Sequence, residues 1–166
     1  MNSDDEYLAL IRDFAAVCQA DPTQLDPSGE ITLQFDGLVA AIYPDTERQA
    51  LVIDIDIFRL QNPQGDPANL ERLLMLHRLN SLTRFTHGGI ASVCGDDMLT
   101  LSRSIGVRTL DGQELAAVLT ELVDAATQLA DAWTDMRQLI QSTAESLGVQ
   151  AMPSVSAPGA GPITFA

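Results

Sequence analysis

The strongest constraint on the fold is the segment 51–58, LVIDIDIF, in which aliphatic residues alternate with acids or other residues. In an extended strand, successive side chains point to opposite faces. One face then carries four aliphatic side chains, Leu51, Ile53, Ile55 and Ile57. The other face carries Val52, Asp54, Asp56 and Phe58. The pattern predicts a strand that is buried on one side only, so helices must cover that side.

The rest of the chain supplies further strands and the covering helices. Asp36-Gly37 is a strong two-residue hairpin signal between two apolar runs, and Asp111 with Glu114 forms a capping-box-like helix start. The predicted order is α-β-β-β-α-β-β-α: a helix over 4–20, strands over 31–35, 38–43 and 51–58, a helix over 67–80, strands over 90–94 and 98–105, and a helix over 111–147. This order predicts an α+β domain over 1–147, with an antiparallel five-stranded sheet flanked by three helices. Residues 148–166 are uncharged and rich in Pro, Gly, Ala and Ser, which predicts a flexible tail.

The charge of the chain restricts its partners. The formal net charge is -14, and all nine cationic residues are Arg. Such a surface repels phosphate groups, which disfavours nucleic acid and anionic membranes as partners.

The N-terminus and the cysteines indicate the compartment. The acidic N-terminus is unlike a signal peptide, and the two cysteines form no disulfide framework. We therefore expect a cytoplasmic protein.

Asp54-x-Asp56 is the arrangement that most resembles a catalytic site. Two carboxylates on one strand face can hold Mg²⁺, usually together with substrate phosphates and further ligands. The sequence has no Gly-rich phosphate loop to complete such a site. A solvated strand face is therefore the favoured interpretation, and a metal-dependent hydrolase using Asp54 and Asp56 is the alternative.

The histidines and cysteines carry no clear catalytic pattern either. His77 and His87 lack the i, i+4 spacing of a helical metal site. Asp96 and Asp97 follow Cys94 closely, whereas a reactive thiolate needs a cationic neighbour. No G-x-S-x-G nucleophile motif is present. The sequence predicts a protein that is not an enzyme and needs no metal or cofactor.

Surplus apolar surface is the positive indication of function. The strand 38–43, LVAAIY, is apolar on both faces, and the helix 67–80 carries leucines on more than one face. Apolar surface that remains after a core has formed usually marks an interface. Alternatively the long last helix covers it, because periodicity does not say which neighbour buries which face.

Two stretches, residues 73–105 and 110–133, resemble the class I type III secretion chaperones, the Tir-chaperone-like family. The features that carry the resemblance are a helix that ends near Asn80, the Gly88-Gly89 turn, the Leu99-Thr100-Leu101 strand and Trp133, which stands where the final helix of the family ends near an aromatic residue. With the upstream helix and three strands, the resemblance covers about residues 4–145. Fold alone does not fix function, so a regulatory adaptor that binds a folded protein is a second alternative.

The resemblance implies a homodimer that binds the N-terminal region of a secreted effector, a virulence protein, as an extended chain. The dimer interface would lie on the second helix, at Leu70, Leu73, Leu74, Met75 and His77. The effector would contact the first helix and the sheet, at Phe14, Val17, Val39, Ile42, Val52 and Phe58. Each of these six residues, taken singly, also fits a position in the core.

Overall fold

A computed structural model of the chain describes residues 3–18, 29–61 and 67–146. Its strands are β1 (Ile31–Phe35), β2 (Leu38–Asp45), β3 (Ala50–Arg59), β4 (Ile90–Cys94) and β5 (Met98–Gly106). Its helices are α1 (Ser3–Val17), α2 (Pro67–Asn80), α3 (Gly112–Asp131) and α4 (Met136–Ser146). The predicted order and the five-stranded antiparallel sheet are confirmed. The predicted tail, 148–166, lies outside the described residues.

The sheet has the strand order β1-β2-β3-β5-β4, and every neighbouring pair is antiparallel. The β1–β2 hairpin turns at Asp36 and Gly37, which both have positive φ angles, as the favoured two-residue turn requires. β3 lies at the centre, where Ile53 is opposite Ile42 on one side and Arg103 on the other. β1 and β4 are therefore the two edges of the sheet.

A β-bulge interrupts the alternation predicted for β3. The pairing with β5 shifts between Asp56 and Phe58, so that Phe58 is opposite the buried Leu99. Residues that are opposite each other on paired strands share a face. Phe58 therefore lies on the core side rather than beside the acids, and its ring meets the edge of Trp133 at a centroid distance of 5.6 Å.

The core lies between the sheet and the helices α1 and α3. All four alternating aliphatic side chains of β3 are buried there, as the sequence predicts: Leu51, Ile53, Ile55 and Ile57. α1 packs on α3, and α3 packs on β3. The predicted capping box is confirmed, because Asp111 accepts a hydrogen bond from the Glu114 N–H at 2.8 Å while Glu114 accepts from the Asp111 N–H at 2.9 Å.

The last predicted helix is divided into two. α3 ends at Asp131, a short 3-10 turn follows over Trp133–Asp135, and α4 then packs against α2. Asp135 accepts a hydrogen bond from the Gln138 N–H at 3.1 Å, which is how a capping residue starts a new helix. Within the described segments, the helices are too short or too polar to cross a membrane.

Candidate partner-binding surfaces

The outer face of α2 is an exposed apolar strip. Leu70 and Leu74, one helical turn apart, are 49% and 65% exposed, and His77 is exposed beside them. The other two predicted interface residues, Leu73 and Met75, are half-buried. The opposite face of α2 is anchored in the core by two buried leucines, Leu76 and Leu79. Among the described residues, one side of the helix thus packs into the core and the other side leaves apolar side chains exposed.

Asn80, the last residue of α2, joins this helix to β4. Its side-chain amide donates to the Ala91 carbonyl at 2.7 Å and accepts from the Ala91 N–H at 2.8 Å. Hydrogen bonds in both directions fix the amide plane against the strand. The outer face of α2 is therefore presented in a defined orientation relative to the sheet.

At the opposite edge of the sheet, β1 has core-side residues that are incompletely covered. Ile31, Leu33 and Phe35 are half-buried, whereas their neighbours on β2 are buried: Leu38, Ala40 and Ile42. β1 is an edge strand, so no other strand of the described residues pairs with its far side. The sequence reasoning missed this surface, although the first strand of a three-strand meander commonly lies at an edge.

Tyr7 connects α1 to the start of β1. Its hydroxyl, buried between the two elements, donates to the Gly29 carbonyl at 2.6 Å. Burial is the main cause that raises the pKa of Tyr7 above its usual value, so the phenol stays neutral and can donate. Gly29 has a φ of 80°, and a Cβ there would lie 2.9 Å from the Tyr7 ring, which explains why glycine occupies this position.

The structure does not bring the six predicted effector-contacting residues together on one face. Phe14 and Ile42 are buried in the core, where a partner would not touch them in this arrangement. Val17 and Val39 are exposed, and Val52 is half-buried. Val39 and Val52 lie on the sheet face that carries the acids, while the bulge moves the half-buried Phe58 to the other side.

Hydroxyl groups of neighbouring strands satisfy the acids of β3. Asp54 accepts hydrogen bonds from the Tyr43 hydroxyl at 2.6 Å and from the Ser102 hydroxyl. Asp56 accepts from the Thr100 hydroxyl at 2.9 Å. The bond to Asp54, together with burial, raises the pKa of Tyr43 to about 12. The acids therefore belong to a cross-strand hydrogen-bond network.

The other candidate catalytic residues are scattered. His87 lies 3.2 Å from the Glu121 carboxylate, and His77 is exposed on α2. Cys94 is exposed at the end of β4, 3.8 Å from the Ser92 hydroxyl. Within the described ranges, no three His, Cys, Asp or Glu side chains are grouped closely enough to hold a metal ion.

The sequence matches the model of one protein family. The matching model is that of the Tir chaperone protein (CesT) family, and the match spans residues 9–130. The chain belongs to this family. The family confirms the resemblance found in the sequence, and it is a family of chaperones rather than of known enzymes. No curated protein sequence matches the chain.

Several solved structures share the fold of this CesT-family chain. The Yersinia pestis type III secretion chaperone SycH, in complex with a stable fragment of YscM2, has 24% identity and a TM-score of 0.58, with 74% of this chain and 98% of that chain covered. The ExsC–ExsE complex has 20% identity and a TM-score of 0.59, with 79% of this chain and 94% of that chain covered. The HopA1–SchA chaperone–effector complex has 16% identity and a TM-score of 0.60, with 76% of this chain and 94% of that chain covered. At these identities the likeness shows the fold.

Proposed function

We propose that the chain is a cytoplasmic chaperone of a bacterial type III secretion system. It binds the N-terminal region of a secreted effector as an extended chain and keeps that effector soluble and competent for secretion, without catalysing a reaction. Membership of the CesT family supports this proposal. The similar structures support it as well, because SycH is described as a type III secretion chaperone and HopA1–SchA as a chaperone–effector complex.

The half-covered β1 edge is the observation that carries the proposal. An extended segment that pairs with β1 would gain main-chain hydrogen bonds from the edge, a recognition mode known as β-augmentation. Alternate side chains of that segment would cover the half-buried residues Ile31, Leu33 and Phe35. The binding of a non-globular partner follows, because a folded protein rarely offers a free strand of this length. Three apolar residues provide contacts farther along its path: the exposed Val17 on α1, the exposed Val39 on the sheet and the half-buried Val52 on the sheet.

Dimerisation through α2 is compatible with this mode of binding. α2 contacts β4, which lies at the opposite edge of the sheet from β1. Two copies joined through the strip of Leu70 and Leu74 would bury the same surface twice, as a two-fold interface does. Such a dimer leaves both β1 edges accessible to the effector.

A proline placed in β1 tests the proposal. Gln34 is exposed, and its backbone N–H points away from β2, because the Phe35–Leu38 pair closes the two-residue turn with hydrogen bonds and the pairs alternate from there. Gln34→Pro removes that donor and obstructs an added strand, and proline is tolerated on edge strands. Gln34→Ala removes the same side chain but keeps the N–H, so it is the matched control.

The assay is affinity purification of tagged variants from the native host, followed by mass spectrometry. Wild type and Gln34→Ala should retain a secreted protein, and Gln34→Pro should lose most of it while its circular dichroism stays unchanged. Limited proteolysis of the complex should leave a short protected segment within an otherwise sensitive partner. Recovery of a folded, protease-resistant cytosolic protein would favour the regulatory adaptor instead, and no secreted partner at all would refute the chaperone.

A further inference from the structure

The two edges of the sheet differ in how their outward backbone groups are occupied. On β4, Ala91 bonds to Asn80, so its N–H and C=O point away from β5. In an antiparallel pair, the backbone groups of alternate residues point to the same side. Val93 is therefore the only other residue of the five-residue strand whose backbone groups face outward.

The Asn80 amide engages both outward groups of Ala91. A strand that approached β4 would have to displace this side chain or bind to Val93 alone, and one residue offers at most two ladder hydrogen bonds. On β1 the outward residues are Thr32 and Gln34, and both are exposed. Among the described residues, none is hydrogen-bonded to the outward backbone groups of these two.

We propose that Asn80 closes the β4 edge and thereby confines strand addition to the β1 edge. The inference rests on the proposed function, since it assigns the edge at which the extended partner binds. Asparagine suits this role because its amide carries a donor and an acceptor side by side, the same pair that a partner strand would present. Natural sheets need such devices, because an exposed edge promotes pairing with other chains.

Hydrogen exchange tests the closure directly. In Asn80→Ala, the Ala91 amide loses its acceptor and should exchange about tenfold faster, as expected when one protecting hydrogen bond is removed. The amides of Leu51 and Ile53 in the central strand should keep their wild-type rates. Asn69→Ala is the matched control, because Asn69 also donates from its side-chain amide to a backbone carbonyl, that of Gln61 at 3.1 Å, away from the sheet edge.

Crosslinking tests the consequence for strand addition. The probe is a synthetic eight-residue peptide of alternating valine and threonine that carries a photoreactive benzophenone, and crosslinked sites are mapped by mass spectrometry. Wild type and Asn69→Ala should crosslink at 31–35 and not at 90–94. Asn80→Ala should crosslink at both edges.

The outcomes of the two experiments separate the role of Asn80 from the proposed function. Crosslinks at 90–94 in wild type, or no gain there in Asn80→Ala, would overturn the role of Asn80 while the chaperone proposal stands. An unchanged Ala91 exchange rate in Asn80→Ala would overturn it too. Crosslinks at neither edge in any variant would overturn both this inference and the strand addition on which the proposed function rests.

Discussion

Replacement of Gly112 by alanine should force α1 away from α3. A Cβ at this first residue of α3 would lie 2.6 Å from the Asp13 carbonyl carbon and 2.7 Å from the Phe14 nitrogen. Both atoms are backbone, so no side-chain rotation relieves the contact. The Gly112 N–H also donates to the Asp13 carboxylate at 2.7 Å, and this bond lengthens when the helices separate.

The magnitude follows from the distances. Real Cβ atoms are essentially never closer than 3.0 Å to such atoms, so α1 must retreat by at least 0.4 Å, the difference between 3.0 and 2.6 Å. Overpacking of this kind costs about 1–3 kcal/mol. At this first residue of α3, alanine recovers only part of the about 1 kcal/mol that its helix propensity contributes in a helix interior. We expect a net loss of about 1–2 kcal/mol in the free energy of unfolding.

Urea unfolding followed by Trp133 fluorescence measures this loss. Trp133 is the single tryptophan and is buried against Phe58, so its emission reports on the core. With a slope of about 2 kcal/mol per molar urea, the midpoint should fall by about 0.5–1 M at a fixed protein concentration. Gly95→Ala is the control, because a Cβ there has no neighbour within 4 Å. A Gly112→Ala midpoint equal to that of wild type would refute the close-approach argument, as would an equal loss in Gly95→Ala.

Three further predictions concern the dimer, the sheet and a helix end. Leu74→Asp should convert a dimer to monomers in analytical ultracentrifugation because it puts a charge into the apolar strip of α2, whereas Thr120→Asp on exposed α3 surface should not. The hydrogen bond to Asp54, together with burial, raises the pKa of Tyr43 from its usual 10 to about 12. The neutral phenol therefore stabilises the fold fully below pH 10, and this stabilisation is lost as the pH rises to about 12. In Tyr43→Phe, the free energy of unfolding measured between pH 10 and about 12 should fall less than it does in wild type. Asp111→Ala should lower the thermal stability by about 1 kcal/mol because it removes the cap of α3, and an unchanged melting temperature would contradict the capping role.

The sequence alone predicted those structural features whose physical cause lies in a few neighbouring residues. The alternation in 51–58 predicted which side of β3 is buried, because period-two burial requires an extended strand. Asp36-Gly37 predicted the hairpin, because its turn needs positive φ angles. Asp111 predicted the start of α3, because a side-chain acceptor is needed for free N–H groups.

Other features depend on neighbours that the sequence does not specify. Phe14 and Val17 are both apolar residues of α1, yet only the first is covered by the core. The bulge that moves Phe58 toward Trp133 leaves no signature in the alternation. The β1 edge was missed for the same reason, because the strand order decides which strand lacks a neighbour.

Two hydrogen bonds of α1 connect the margin of the sheet to α3. The Tyr7 hydroxyl donates to the Gly29 carbonyl two residues before β1 begins, and six residues farther along α1 the Asp13 carboxylate accepts from the N–H of Gly112, the first residue of α3. These two short bonds connect the sheet margin, through α1, to the start of α3. On the proposed mode of binding, an effector segment that shifts β1 would therefore also act on α1 and on the start of α3.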